Sequence, residues 1–279
     1  LEADILRHTA VKWKMKFNAS RNWNRFEKSA DGFDFMEQVI GKPLHQIKVF
    51  KTDGFYNSLD EVPVYYLANK EVQPLYSGIT AGIYLPGSRR LVDLNGDGRI
   101  TEDADVYFAE SPLPLAHGGF INQLRWKNFD LNIFFNYSLG RHIVKVYDDV
   151  SMTANGSAKP FVDVNDVKIW TEAGSKADYP KSQVYAYLMN QTSGRYDCDI
   201  ESVSFLRLKQ LTLGYNVGER VLNKLKISGA RIFVTGENLF LLTNYSGLDP
   251  ELVNPTQGVD NMGSYPLPRK FTVGLSVNF

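Results

Sequence analysis

The segment DLNGDGRITEDAD places oxygen-bearing side chains at alternate positions of a glycine-rich stretch. Asp93, Asn95 and Asp97 occupy positions 1, 3 and 5 of an EF-hand-type calcium loop. Gly98 supplies the sharp turn at position 6, and the Arg99 carbonyl falls at position 7. Carboxylate and amide oxygens on such a tight loop can converge on one hard cation, so the segment is a candidate divalent-cation site.

The second half of the same loop departs from the calcium pattern. Position 12 should be a bidentate acid, but it is Ala104, flanked by Asp103 and Asp105. Two interpretations stay open: a calcium ion with a structural role, or an Asx/Gly turn whose side chains bond their own backbone. No cofactor is required by the sequence, and calcium is the one ion that it suggests.

Motifs for catalysis are scarce, and the sequence predicts a protein that is not an enzyme. It contains no G-x-S-x-G, no P-loop and no G-x-G-x-x-G. Cys198 lies in YDCDIE, where neighbouring acids should raise the pKa of the thiol, which argues against a nucleophilic thiolate. No metal-ligand spacing such as H-E-x-x-H joins His8, His45, His117 and His142.

Tyrosines beside polar side chains mark the segments that connect the predicted strands. Such residues can stack on sugar rings or grip a peptide backbone, and the alternative is that each simply packs on its neighbours. The candidates for contact with a ligand or a partner are Tyr65, Tyr66, Tyr76, Asn244, Tyr245, Asp249 and Tyr265.

The elements that must position these residues alternate with a period of two. In VKWKMKFNAS (11–20), FDLNIFFNYS (129–138) and KFTVGLSVNF (270–279), every second residue is apolar over about ten positions. Strands of soluble sandwiches are mostly shorter, about five to six residues. Long strands with one apolar face, one polar face and aromatic ends are typical of membrane barrels.

Further strands are predicted at 1–5, 118–126, 203–217 and 229–240. In FLRLKQLTLGYNV the apolar residues change phase near Lys209 and Gln210, which predicts a β-bulge. The connection WKNFD (126–130) is a tight turn, and 217–230 is of moderate length with a helix-like middle. The others, at about 24–117, 139–202 and 241–269, are long. The sequence thus predicts an all-β, up-and-down antiparallel barrel wall with short turns at one end and long loops at the other.

Bulk composition agrees with this class and removes others. The 31 basic and 31 acidic residues of the 279 cancel, so no overall charge indicates a nucleic-acid partner. One cysteine excludes an internal disulfide, and no run approaches the ~18 apolar residues of a membrane helix. Because residues 1–5 would form half of a hairpin with 11–20, we expect further strands of the same barrel to lie upstream.

Five stretches in a fixed order resemble one family. They are GKPLHQIKVFKTDGFYNSLDEV, DLNGDGRITEDAD, FLRLKQLTLGYNV, ISGARIFVTGENLFLLTNYSGLDPE and GSYPLPRKFTVGLSVNF. Together they resemble the C-terminal part of SusC/RagA-type TonB-dependent outer-membrane transporters of Bacteroidetes. On this resemblance, residues 1–279 are the C-terminal segment of the receptor barrel, without the plug domain and the TonB box.

The resemblance implies a 22-stranded transmembrane β-barrel in the outer membrane. It also implies TonB-driven uptake of an oligosaccharide or a peptide, together with a SusD-like surface lipoprotein over the mouth. The C-terminal aromatic Phe279 would be the signal that the barrel-assembly machinery reads.

Two other functions stay open at this point. The first is a soluble, calcium-stabilised, carbohydrate-binding β module, and the second is a secreted β-rich hydrolase. A soluble protein with these strands would expose a large apolar band, which weighs against both.

Overall fold

The computed structural model describes residues 1–33, 39–62, 64–66, 72–74, 85–98, 100–145, 168–178, 196–254, 258–260 and 265–279. Within them the strands, in chain order, are β1 (Glu2–Leu6), β2 (Val11–Ser20), β3 (Lys48–Phe50), β4 (Thr52–Phe55), β5 (Val64–Tyr66), β6 (Val72–Pro74), β7 (Arg89–Leu91), β8 (Val106–Phe108), β9 (Ala116–Trp126), β10 (Phe129–Leu139), β11 (His142–Lys145), β12 (Ile200–Ser202), β13 (Phe205–Asn216), β14 (Gly229–Thr243), β15 (Val259–Asp260) and β16 (Lys270–Asn278).

Helical structure in the described residues is short. Helix α1 spans Glu219–Leu225, and 3-10 turns span Leu59–Glu61 and Asp197–Asp199. No helix of the described part of the chain combines the length and the apolar character needed to cross a membrane. Helix α1 lies in the 217–230 connection, so the helix-like middle predicted there is confirmed.

Seven long strands form one antiparallel sheet in the order β1-β2-β9-β10-β13-β14-β16. Each is bonded to the strand that precedes it among the seven, so the predicted up-and-down arrangement is confirmed. The short connections 7–10, 127–128 and 217–228 lie at one end, which we call the short-turn end. The opposite end, where the long connections lie, is the long-loop end.

Pairing between strands keeps the apolar residues on one face. Phe17 pairs with Phe120, and Phe120 pairs with Phe135, whose rings stack with centroids 4.8 Å apart. At the short-turn end, the ring of Phe129 lies 5.0 Å from that of Tyr215. These aromatic rows bound an apolar band on the face that we call outward, as in membrane barrels.

The predicted bulge in β13 is confirmed. Gln210 pairs with Phe134 of β10 and Leu208 with Phe135, so Lys209 has no partner in that ladder. The extra residue returns the apolar residues on both sides of it to the outward face. A single phase slip in the sequence was sufficient to predict this, because side chains alternate strictly along a strand.

A second irregularity in β14 explains why its faces are not clean in the sequence. Glu237 pairs with Gln210, and the next paired residue of β14 is Phe240. Asn238 between them has a left-handed φ of 53°, a conformation that asparagine tolerates better than most residues. The side chain of Leu239 then lies over Gly236, where an added Cβ would come within 2.8 Å of it.

The hydrophobic core lies outside the seven-stranded sheet, in the connections at the long-loop end. Phe50, Tyr56, Val62, Leu91 and Ile100 form one cluster. Two further clusters comprise Ile143, Val203, Tyr245 and Val253, and Ile47, Val49 and Val144. Small sheets support them: β12-β11-β15, in which β11 and β15 run parallel, and the pairs β3-β8, β4-β7 and β5-β6.

The outward face of the large sheet stays bare. On β16, Phe271, Val273 and Leu275 are 71%, 74% and 67% exposed. The sheet therefore offers an extended apolar surface that the described residues do not cover.

Candidate binding surfaces

The inward face of the sheet is polar, and one cluster of its charges lies near the short-turn end. Asp130 of β10 accepts from Arg231 of β14, with Nη2 to Oδ2 at 2.6 Å and Nε to Oδ1 at 3.2 Å. The amide of Asn216 donates to the same carboxylate over 3.0 Å. Gly214 lies between them, because an added Cβ would sit 2.6 Å from both Asp130 oxygens. These side chains line an open concavity of about 610 Å³.

Lysines of β2 line a second inward concavity of about 510 Å³. Lys14 and Lys16 both pair with Glu2 of β1, the latter over 3.3 Å. Lys12 pairs in register with Arg125 of β9, so two cations lie side by side there. The interior surface can therefore attract anionic groups at one position while its other charges are neutralised within the sheet.

The aspartate loop is folded back on its own backbone. Asp93 accepts from Gly96 and Gly98, each over 2.7 Å. Asp105 is fully buried and accepts from Leu94 over 2.9 Å and from Thr101 over 2.7 Å. Desolvation opposes the charge of Asp93, but the backbone donors outweigh it and hold the pKa of that carboxyl below its ordinary value.

The remaining members of the proposed ion site are less engaged. Asn95 accepts from the Asp97 backbone and donates to its carboxylate, each over 3.0 Å. Asp103 is exposed, and Arg99 lies outside the described residues. No group of three or more His, Cys, Asp or Glu in the described ranges is placed to hold a metal ion. The turn is complete without a cation, and calcium stays a prediction.

The tyrosine and polar candidates fall into different environments. Tyr265 is 93% exposed and Asn244 is exposed, so both can meet a ligand or a partner. Tyr245 is buried and its hydroxyl bonds Asp260. Tyr65 and Tyr66 belong to β5, of which the structure describes only the backbone. Tyr76 lies outside the described residues. Direct contact with a ligand stays a prediction at all of these positions.

Asp249 is engaged within the chain rather than on its surface. Its side chain is 4% exposed, as is that of Arg207, and the two form an ion pair at 2.5 Å. Its oxygens also accept from the backbone of Glu251 and of Leu267, over 3.0 and 3.1 Å. Asp249 therefore positions the last long loop, and a contact of its own with a ligand stays a prediction.

Two arginines that sequence reasoning did not select hold the loops in place. Arg207, on the inward face of β13, contacts Glu251 over 2.9 Å as well as Asp249. Arg141 is buried and donates to the carbonyls of Pro112, over 2.9 Å, Pro250, over 3.2 Å, and Val253. Burial lowers the pKa of the Arg141 guanidinium. The signal for Arg207 was available, since it is a charge in an apolar stretch, FLRLK, and the loop after the next strand contains Asp249 and Glu251.

The comparisons with known proteins agree with this geometry. The chain is 33% identical over 281 residues to TonB-dependent receptor P3 of Formosa agariphila, covering 96% of the chain and 27% of that protein. It is 28% identical over 269 residues to TonB-dependent receptor SusC of Bacteroides thetaiotaomicron, covering 96% and 24%. The chain thus spans about a quarter of the length of these curated relatives. No protein-family model matches it.

A solved structure shares the fold. The RagAB peptide importer in its open-open state superposes with a TM-score of 0.66 at 20% identity, over 100% of this chain and 28% of that one. An up-and-down sheet with a bare apolar face, a polar face and long loops at one end is the wall of a membrane β-barrel. The chain belongs to the SusC/RagA-type TonB-dependent receptors and corresponds to their C-terminal portion.

Proposed function

We propose that the receptor containing this chain imports a nutrient across the outer membrane, coupled to TonB, and that the chain forms part of the wall of a closed 22-stranded barrel. The observation that carries this proposal is the two-faced sheet, with Val273 and Leu275 exposed outward and Asp130 and Arg231 inward. The outward face suits lipid, and the inward face suits a hydrated passage.

The cargo belongs to one of two chemical classes, oligosaccharides or peptides. The RagAB importer, which shares the fold, is a peptide importer, whereas other relatives are named only as TonB-dependent receptors. Exposed Asn244 and Tyr265 at the long-loop end offer hydrogen bonds and a stacking surface that either class could use. These features support import of an organic polymer fragment rather than of a metal ion.

Uptake by cells tests the function and the cargo together. A strain that lacks the full-length gene should lose growth on one class, either peptides or oligosaccharides, as the limiting nutrient. Restoring the gene should restore growth, and loss of TonB coupling should abolish it again. Unchanged uptake of both classes in the deletion strain would contradict the proposal.

The partner that we propose is a SusD-like lipoprotein docked at the long-loop end. The packed clusters there give a firm surface, from which Leu59 and Leu248 project with 63% and 43% exposure. Affinity purification of the full-length receptor from membranes should recover one lipoprotein at equal stoichiometry. Recovery of the receptor alone under gentle extraction would argue against a stable partner.

A structural calcium ion in the Asp93 loop is a separate proposal. The ion would have to be coordinated by the Asp93 carboxylate, whose oxygens already accept backbone hydrogen bonds. Adding calcium to chelator-treated receptor should slow proteolysis of this loop, and Asp93→Asn should remove that effect. Asp103→Asn is the matched control if the ion is held by the first half of the loop. No protection by calcium would exclude the ion.

A soluble carbohydrate-binding module is the competing function. It would leave the outward face of β16 in water, which is unfavourable for so continuous an apolar surface. Detergent-dependent solubility and heat-modifiable gel mobility of the full-length protein distinguish the two. A water-soluble monomer would favour the module.

A further inference from the structure

An arginine and a tryptophan are in contact immediately after β2. The guanidinium carbon of Arg21 lies 4.7 Å from the ring centroid of Trp23. Trp23 is 77% exposed, and Arg21 is exposed as well. Residues two apart meet in this way when the backbone is extended and both side chains point to the same side. The pair is therefore a preformed cation–aromatic surface that faces away from the protein.

The pair follows directly on strand β2, which ends at Ser20. In β2 the odd-numbered residues point outward, ending with Phe17, which is 38% exposed, and Ala19. Continuing that alternation by two more steps would place Arg21 and Trp23 on the outward side. Phe17 stacks on Tyr137 of β10 with centroids 6.2 Å apart, in the aromatic row at the long-loop side. The pair thus follows the long-loop end of a strand whose outward face is apolar.

The backbone after Trp23 is fixed by hydrogen bonds to a second segment. The amide of Leu44 donates to the side chain of Asn24 over 2.7 Å. Phe26 donates to Lys42 over 2.9 Å and accepts from Gly41 over 2.7 Å. The backbone that directly follows the exposed tryptophan is consequently held in place by residues 41–44.

Charge in this segment favours an anionic contact. Arg21, Arg25 and Lys28 outnumber the carboxylates Glu27 and Asp31, and Asp31 accepts hydrogen bonds from the Ser29 hydroxyl and the Phe33 amide. Among the described residues, no carboxylate lies within ion-pair distance of Arg21. A guanidinium with free donors beside an indole at the edge of an apolar surface is suited to a phosphate oxygen just above lipid tails.

We propose that Arg21 and Trp23 form a binding site for the phosphate group of a lipid headgroup at the long-loop rim of the outward face. The inference rests on the proposed membrane location of the sheet. The indole occupies the boundary between tails and headgroups, where tryptophan is enriched. The guanidinium, stacked on that ring, presents its fork to the phosphate.

The chain offers an internal comparison at the opposite rim. Lys127 lies 5.1 Å from the ring centroid of Trp126, in the tight turn between β9 and β10. Lysine is a point charge without the planar fork of arginine, so this pair should contact anionic lipid less specifically.

Lipid binding to the full-length receptor in nanodiscs tests the site. Discs of phosphatidylcholine, with or without phosphatidylglycerol, are analysed by native mass spectrometry for retained lipid. Arg21→Gln should weaken phosphatidylglycerol binding about fivefold, the effect of one basic residue near an anionic surface. Trp23→Ala should also weaken it, and Arg21→Lys should fall between the parent and Arg21→Gln. Lys224→Gln removes an exposed charge from α1 and should match the parent.

Three outcomes would overturn the site. Equal phosphatidylglycerol retention by Arg21→Gln and the parent would show that the pair does not bind the headgroup. Binding of inorganic phosphate that is lost in Arg21→Gln, with lipid retention unaffected by added phosphate, would assign the site to free phosphate instead of lipid. A receptor that does not enter bilayers would overturn the proposed function together with this site, whereas the first two outcomes leave that function intact.

Discussion

At the scale of single residues, glycines on the inward face make room for large neighbours. The ring of Phe233 lies against Gly274, so close that any Cβ there would overlap it. Arg231 in turn lies over Phe233, 5.1 Å from its ring centroid. The absence of a side chain at Gly274 of β16 thus makes room for the Phe233 ring of β14 and for the ion-paired Arg231 that lies over it.

The variant Gly274→Ala should destabilise the sheet, because the Phe233 ring must leave its position. Overpacking of this kind costs about 1–3 kcal/mol. The temperature at which the folded gel band disappears should fall, while Ser276→Ala on the same face should leave it unchanged. An unaltered transition in Gly274→Ala would show that the ring moves freely.

Cys198 should react slowly with alkylating agents although the residue is exposed. Its sulfur packs against Arg89, 2.8 Å from Nη1, and burial of the thiol followed by the charge of Asp199 raises the pKa of Cys198 to about 12. At pH 8 only about one thiol in ten thousand is then ionised. Iodoacetamide should label it at least about a hundredfold more slowly than free cysteine. The rate should rise steadily towards pH 11, and labelling at the rate of free cysteine would contradict the buried sulfur.

The direction of this pKa shift was predicted from the sequence YDCDIE, but its main cause was not. Acidic neighbours are visible along the chain, whereas burial depends on which loops meet. The same limit applies to Arg141, whose three carbonyl partners lie 29, 109 and 112 positions away in the sequence. Contacts at such separations leave no local pattern that could be recognised.

At the scale of elements, strands were predicted well because alternation is a local property. The predicted strand 11–20 is found unchanged, and 203–217 is found as Phe205–Asn216. The extra residue at Lys209 was visible as a change of phase. The irregularity at Asn238 was not visible, since a left-handed asparagine weakens the alternation of apolar residues without producing a clear change of phase.

The variant Arg207→Met should release the last long loop without dissolving the sheet. It leaves Asp249 buried without its cation, which costs about 3–5 kcal/mol for a buried pair. Hydrogen exchange should quicken at the amides of Glu251 and Leu267, both of which donate to Asp249.

Lys209→Gln is the matched control for that experiment. Its ion pair with Glu251 is partly exposed, at 30% and 22% for the two side chains, so its loss should cost about 1 kcal/mol or less. Equal protection in the parent and Arg207→Met would contradict the anchoring role of the arginine.

Removal of Phe279 should reduce assembly into the membrane more than it reduces ligand affinity in molecules that do assemble. The side chain is 97% exposed and contributes no packing within the chain, so a loss of internal stability would not explain the effect. Phe279→Tyr should assemble like the parent because it keeps an aromatic ring. Quantifying receptor in outer-membrane fractions measures this, and normal assembly of the deletion variant would refute the signal.

At the scale of the whole molecule, substitutions on the two faces of β16 can distinguish a sheet that faces lipid from a sheet that faces water on both sides. Thr272 and Val273 are adjacent and both exposed, so in water a lysine would be tolerated at either. Facing lipid, Val273→Lys should cost about 2 kcal/mol, while Thr272→Lys, facing inward, should be nearly neutral. The yield of folded receptor in membranes should therefore fall only for Val273→Lys. Equal yields would contradict the assignment of the outward face to lipid.

The general plan of the molecule could be derived from sequence, but the structure of the loops could not. Strand order followed from the short turns and the direction of each strand. The clusters around Tyr56 and Ile143 follow no period, and they unite segments far apart in the chain. The candidate ion loop was recognisable by composition, whereas the burial of Asp105 and Asp249 required the packed loops.

The separation of the hydrophobic core from the sheet bears on how such receptors diversify. The clusters around Phe50 and Ile143 stabilise the long-loop end without residues of the seven long strands. Burial of such side chains contributes about 1.5–3 kcal/mol each. The loop clusters therefore stabilise the long loops when mutations change their surface. Mutations on the outward face of the sheet are constrained mainly by contact with lipid. Evolution can therefore exchange the long-loop end as a unit while the same wall is inherited.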